Sequence, residues 1–274
     1  MAKNWKSLSV YGILSLFLII SVGPFALTWL TAFKSQRDLI IGSPLELPQQ
    51  WHWEKFLHVW FDSEFGHYFL NSLIILVPVV VISLLFSILA GYAFANMQFK
   101  GSSLCFYLLL GSFILPAELF MIPLYDLMHR FNLLNTYWAL ILPQIGMSAS
   151  FGTLLLRAFF QGIPKTLAEA AVVDGASDRD VLWRILVPIA KPAIVAAGIF
   201  ISIWTWNEFL LPLVLISSTK LMPLPLGLAQ FQGKYLSDIP KIMTGVTIIT
   251  FPMIALYLIF QRDFIRGLTQ GAID

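Results

Sequence analysis

The sequence predicts an all-α membrane protein with six transmembrane helices. Three observations predict it. Of 274 residues, 58% are hydrophobic and 12% charged, about half the charged share of ordinary soluble domains. Mean hydropathy is +0.80, more apolar surface than a soluble core of this length can hide. The apolar residues also fall into six runs, each near the roughly 20 residues that a spanning helix needs. The formal charge of +2 is close to balance and argues for neither nucleic acid nor a polyacidic substrate.

The first run covers residues 8–33 and follows Lys3 and Lys6. It is too long for the apolar region of a signal peptide and lacks a small-residue cleavage site, so a retained first helix is expected. In residues 34–67, Pro44, Pro48, Trp51, Trp53 and Trp60 predict an ordered loop at the membrane interface, where tryptophan is favoured. The second and third spans are expected at 68–95 and 104–128. Cys105, the one cysteine, excludes an intramolecular disulfide and a cysteine-rich metal site. The fourth, 138–160, is interrupted by Pro143, Gln144 and the Ser148–Ser150 stretch. Such a break is tolerable only where it faces protein or a water-filled path. The fifth and sixth are expected at 192–217 and 242–260, kinked at Pro212 and Pro252. With the N-terminus inside, ten lysines and arginines fall on the inner side and seven on the outer, a modest positive-inside bias. The organisation read from this is a first helix with its external loop, 1–67, and a membrane domain, 68–274, that holds a charged insert within 161–191.

That insert contains EAAVVDGASDRDVLWRILVP, residues 169–188, with Glu169, Asp174, Asp178, Asp180, Arg179 and Arg184. Thr166 and Glu169 have capping-box spacing, predicting a short helix over 167–173. Asp174-Gly175 ends it in the left-handed conformation that glycine accepts. Ser177 then caps a second helix, with Asp178 and Asp180 near its positive end. Val181, Leu182, Ile185 and Leu186 make its apolar stripe, and Pro188 and Pro192 close the insert. Two readings stay open on physics alone. Glu169 caps its own helix in a solvated loop, or the elbow offers Ala168, Ala170 and Ala171 for close approach of another surface.

The stretch resembles the EAA loop of binding-protein-dependent ABC importer permeases, whose pattern is E-A-A, three residues, G, nine residues, I-x-L-P. Here it reads Glu169-Ala170-Ala171, Gly175, then Ile185-Leu186-Val187-Pro188, with Val187 where leucine is usual. Asn71-Ser72-Leu73, the stretch Gly91-Tyr92-Ala93-Phe94-Ala95, TWNEFLLPL from Thr205, and the C-terminal QRDFIRGLTQGAID resemble the carbohydrate-uptake, maltose-permease-like branch. The likeness runs from Tyr68 onward and is less specific before it. It implies a type I importer permease fold in which the insert is a cytoplasmic coupling helix between spans 4 and 5. It implies that Glu169, Ala170, Ala171, Asp174, Gly175, Ile185 and Pro188 meet a cytoplasmic ATPase, Glu169 against a basic group. It further implies two ATPase subunits, a second and different permease, and an extracytoplasmic solute-binding protein. The setting implied is a bacterial or archaeal cytoplasmic membrane with both termini cytoplasmic.

Within the spans, Glu118 and Glu208 are carboxylates in costly places. Asn207-Glu208 beside Trp204 and Trp206 suits a sugar, or equally a gate; Glu118 reads as easily as a helix-end residue. The four histidines, His52, His58, His67 and His129, lack metal spacing, and no metal site is expected. GLAQFQGK from Gly227 is no phosphate loop, having five residues between its glycines and no Ser or Thr after Lys234. No cofactor is expected on this chain, ATP being used by partner subunits, and no enzyme is expected. A self-powered carrier would need more ion-coupling residues in its spans than these. A non-sugar solute is the alternative within the same importer class.

Overall fold

A computed structural model of the protein describes residues 2–231 and 238–269. These residues are helical with intervening turns and contain no strand. They form two compact units, Met1–His67 with Gly227–Pro252, and Tyr68–Leu226 with Met253–Asp274.

In the first unit, α1 (Ala2–Phe33) is apolar all round, and none of its most apolar stretch is buried within the chain. That surface is left to lipid or to another subunit. The loop after it is ordered, as its tryptophans predict. Ser35 caps α2 (Gln36–Ile41) by a reciprocal box: its hydroxyl accepts from the Asp38 N–H at 3.1 Å, and its N–H donates to Asp38 Oδ2 at 2.9 Å. Trp53 meets Phe33 edge-on at 4.5 Å. After α3 (Glu54–Leu57) comes a π turn (His58–Asp62). Lys34, in the loop after α1, is 1% exposed. Its ammonium donates to the Ser43 and Pro44 carbonyls at 3.1 and 2.8 Å, and the Lys55 ammonium donates to the Lys34 carbonyl. It fastens the loop, and burial pushes the Lys55 pKa down.

The second unit begins within α4 (Phe65–Asn96). It continues through α5 (Ser102–Ile114), a 3-10 turn (Ala117–Phe120) and α6 (Met121–Arg130). Then follow α7 (Tyr137–Gly162), α8 (Lys165–Val173), α9 (Asp178–Asp180), a π segment (Val181–Leu186) and α10 (Val187–Ile189). The chain ends with α11 (Lys191–Asn207), α12 (Leu210–Leu215), α13 (Leu224–Ala229) and α14 (Ile239–Thr269). Among the described residues four helices, α1, α4, α7 and α14, are long and apolar enough to cross a membrane, and six spans result if each of two bent pairs counts as one.

Two expectations of continuous spans are corrected, one at a bent pair and one at a helix end; the second bent pair, Asp178–Ile189 with α11, turns by 75° where the elbow meets the fifth span. The third span breaks after α5, and the helix that follows is turned by 98°. Pro116 pushes Leu115 into an extended conformation (φ −73°, ψ 132°) that no helix continues. The fifth breaks at Glu208 (φ −65°, ψ 123°). Pro212 lies four residues on. It has no N–H for the Glu208 carbonyl, and its ring crowds that carbonyl. The fourth span, interrupted in sequence, is one unbroken helix, and half of its most apolar window is buried. The sixth runs well past residue 260, so Arg262 and Arg266 sit on its last turns.

α4 and α7 cross closely. Ser83 and Ser87 donate to the Ile145 and Ala149 carbonyls at 3.4 and 3.3 Å. A Cβ on Gly152 would lie 2.2 Å from Ser87 Oγ, so only glycine permits this approach.

Candidate functional site: a coupling elbow and an intramembrane cavity

The elbow is built on a local core. Val181, Leu182 and Leu186 are 2, 4 and 1% exposed and pack with Ile88, Tyr92, Leu156 and Phe160. Ala168, Ala171 and Ala176 press against the same cluster from α8 and its turn. Ala171 therefore faces inward, whereas Glu169, Ala170, Asp174 and Gly175 are exposed. Ile185 is half-buried, and Pro188 lies exposed in α10.

The Thr166–Glu169 capping box does not form. Pro164 precedes the helix and has no side-chain cap, so α8 starts at Lys165. Thr166 and Glu169 then already lie inside the helix, past the N-cap position. The C-terminal end forms as its residues predict. Gly175 has φ +86°. Its N–H donates to the Val172 carbonyl at 3.0 Å, and the Ala176 N–H donates to that of Ala171 at 2.9 Å. These two bonds are a Schellman closure.

Ser177 caps the next helix. Its hydroxyl donates to Asp180 Oδ2 at 2.6 Å and accepts from the Asp180 N–H at 3.3 Å. The Ser177 hydroxyl, then the Ser177 N–H, hold the Asp180 pKa below the usual carboxylate value. Arg184 Nε stands 3.3 Å from the same carboxylate. The π segment runs up to Pro188, which has no N–H to close an ordinary helical turn onto Arg184. The elbow thus presents a short, rigid face on a buried footing.

The second site lies where the breaks in the third and fifth spans open the helices. A cavity of about 580 Å³ is lined by Gln144, Ser148, Trp204, Thr205, Asn207 and Glu208, with the α5 end opposite. Asn207 Nδ2 donates to the Ile203 carbonyl at 2.8 Å, leaving its oxygen as an acceptor. Glu208 Oε1 accepts from the Leu211 N–H at 3.0 Å and so stabilises the start of α12. Trp204 stands edge-on to Phe151 at 4.6 Å. Trp206 does not join them: it is 1% exposed and packs against Phe69 at 5.4 Å.

Sequence reasoning missed Gln144 and Thr205 as cavity residues. A polar interruption in the fourth span was the available signal for the first. It also gave no reason for Asn71-Ser72. Asn71 is 1% exposed. Its Nδ2 donates to the Lys220 and Met222 carbonyls at 2.9 Å each, and its Oδ1 accepts from Tyr137 at 2.6 Å. Ser72 Oγ accepts from the Leu224 N–H at 2.8 Å. Among the described residues, no three His, Cys, Asp or Glu residues group to hold a metal.

Long apolar helices with one exposed, charged elbow between them define a helical membrane protein. The chain belongs to the family of binding-protein-dependent transport system inner membrane components, whose model matches residues 77–264. It is a permease subunit of a binding-protein-dependent ABC importer, a membership that implies ATPase and solute-binding partners.

It is 31% identical to a diacetylchitobiose uptake system permease protein of Streptomyces coelicolor, over 95% of this chain and 87% of that protein. It is 34% identical to an arabinooligosaccharides transport system permease protein of Halalkalibacterium halodurans, over 93% and 91%. Its fold matches a chain in the crystal structure of a bacterial ABC transporter involved in import of the acidic polysaccharide alginate. The TM-score there is 0.80 at 22% identity, covering 96% of this chain and 97% of the other.

Proposed function

We propose that this chain forms half of a heteromeric pore that imports a sugar or oligosaccharide by ATP-driven alternating access. Two ATPase subunits bind the elbow from the cytoplasm, both termini lie on that side, and a solute-binding protein delivers cargo from outside. ATP is bound and hydrolysed by the partners; this chain binds no cofactor and catalyses no reaction. The observation that carries the reading is the Schellman-closed elbow, whose exposed Glu169, Ala170 and Gly175 stand on a buried footing. Such a part can transmit force without folding away. Relatives named for diacetylchitobiose and arabinooligosaccharide support the cargo class.

In the proposed cycle, closure of the ATPases pulls the elbow and opens the pore toward the loaded binding protein. Hydrolysis returns it inward. The broken spans at Leu115-Pro116 and Glu208 supply the irregular backbone that substrate sites in transporters use. Trp204, Asn207 and Glu208 line that path, while Trp206 packs behind it.

The test is mild detergent purification of the tagged chain from its host, followed by mass spectrometry. An ATPase and a second, different permease are expected with it. An ATPase without a second permease would point to a homodimeric pore, and repeated recovery of the chain alone would overturn the reading.

A further inference from the structure

We infer that the breaks in the third and fifth spans together build a cargo site for a neutral, polyhydroxylated ligand, with Glu118, Glu208 and Thr205 as its recognising groups. The inference rests on the sugar-import reading and deepens it. A second cavity of about 310 Å³ adjoins the one described and shares Ser112, Leu115, Met147 and Glu208 with it. Glu118 lines this second cavity. Each broken span therefore contributes one carboxylate to a continuous hollow otherwise mostly apolar.

An independent observation points to a ligand. Thr205 is 8% exposed, and among the described residues its hydroxyl has no hydrogen-bond partner. It lines the larger cavity beside Gln144 and Glu208. An unpartnered buried hydroxyl is costly, and a native structure retains one where something else completes it.

The charge of the site selects the ligand class. Among the described residues neither Glu118 nor Glu208 makes an ion pair. Glu208 keeps one oxygen beyond the Leu211 bond. Carboxylates only accept hydrogen bonds, and sugar hydroxyls donate them; Thr205 and Gln144 both donate and accept. The half-exposed Trp204 offers an apolar face for sugar C–H groups. Among the described residues the lining of the two cavities holds two carboxylates and no lysine or arginine, so it offers a uronate or other anionic sugar no cation to pair with.

The test is ligand-observed NMR titration of the complete importer in nanodiscs, without binding protein. The probes are a panel of neutral di- and trisaccharides, with digalacturonate as the anionic one. A neutral saccharide is expected to bind and digalacturonate not. Glu118→Gln and Glu208→Gln should weaken that binding at least about tenfold. The second keeps an oxygen for the Leu211 N–H. Thr205→Val should weaken it about three- to tenfold while leaving the melting temperature equal or higher, because a merely structural hydroxyl would lower stability and leave binding alone. Unchanged affinity in Glu118→Gln and Thr205→Val overturns the site, as does binding of digalacturonate or of no saccharide. ATP-driven saccharide uptake by wild-type cells is measured alongside. Normal uptake with no binding sinks the site and leaves the importer standing; loss of both sinks both.

Discussion

Gly175 gives the sharpest test of coupling, because the structure separates what a side chain there costs this chain from what it costs a partner. A Cβ at Gly175 would meet nothing within 4 Å, so no atom of this protein is displaced. The cost is conformational: a residue with a Cβ held at φ +86° pays about 1–2 kcal/mol. Against that stand Val181, Leu182 and Leu186, each essentially buried under the elbow and each contributing about 1.5–3 kcal/mol. The footing outweighs the strain several-fold, so Gly175→Leu should insert and fold. What the leucine occupies is the open space in front of the turn, where the ATPase is proposed to sit.

Three variants divide strain from bulk. Gly175→Ala adds the strain with the least volume, Gly175→Asn adds volume with little strain, since asparagine visits the left-handed region, and Gly175→Leu adds both. The assay pairs ATP-driven uptake in cells with recovery of the ATPase on the tagged chain. Docking predicts near-normal levels for all three in the membrane, a modest loss of uptake for Ala, and loss of both uptake and ATPase for Asn and Leu. Normal uptake with Gly175→Leu would refute the docking argument. Loss confined to Ala and Leu, with Asn normal, would show that the turn matters only for its own shape.

Other expectations follow from the same contacts. Asn71→Leu strands two buried carbonyls and the Tyr137 hydroxyl and should cost about 2–4 kcal/mol, read as a lower melting temperature in detergent, with Tyr137→Phe costing about 1 kcal/mol. Gly267→Ala puts a Cβ 2.4 Å from the Pro192 carbonyl oxygen, forcing the end of α14 off the start of α11; about 1–3 kcal/mol is expected, again as a melting shift. The Asp180 cap follows pH in the carboxylate sense. Its folded pKa is lowered from 3.8, so its contribution is complete above that value and is lost as pH falls through the folded pKa. Amide exchange at the start of α9 should then be flat in protection from pH 5 to 8, whereas Ser177→Ala should lose protection throughout that range.

Hydropathy located the six spans, and turn chemistry located the elbow. Gly175 and Ser177 do in the fold what residues of their kind do locally, because their bonds close within five residues. Thr166 and Glu169 have equally good local spacing, yet their box is absent, since the helix starts two residues earlier, after Pro164. A local signal was overridden by a neighbouring one. The burial of Lys34 and Asn71 was not legible, because their partners lie 9 and 10 residues away for the first and up to 151 for the second. A periodicity argument sees neither.

The cavity was half legible, and the reason lies in how hydropathy is averaged. The fourth span looked weakest because Gln144 and Ser148 dilute its window; its hydropathy of 1.6 is the lowest of the four long helices. Those same side chains are each 6% exposed, and α5 and α11 pack against their helix. A helix enclosed by protein need not be greasy, so its low score measures enclosure, not a failure to span. The third and fifth spans are the ones that break. Proline is apolar enough to pass a hydropathy window, but Pro116 and Pro212 each remove a helical donor. Hydropathy therefore says nothing of continuity: the most apolar of the long helices, at 3.1, and the least, at 1.6, are both unbroken. Proline alone does not mark the breaks, since Pro24, Pro78, Pro143 and Pro252 lie inside unbroken helices; what Glu118 and Glu208 share is a place just beyond a helix end, which an average over a window does not see.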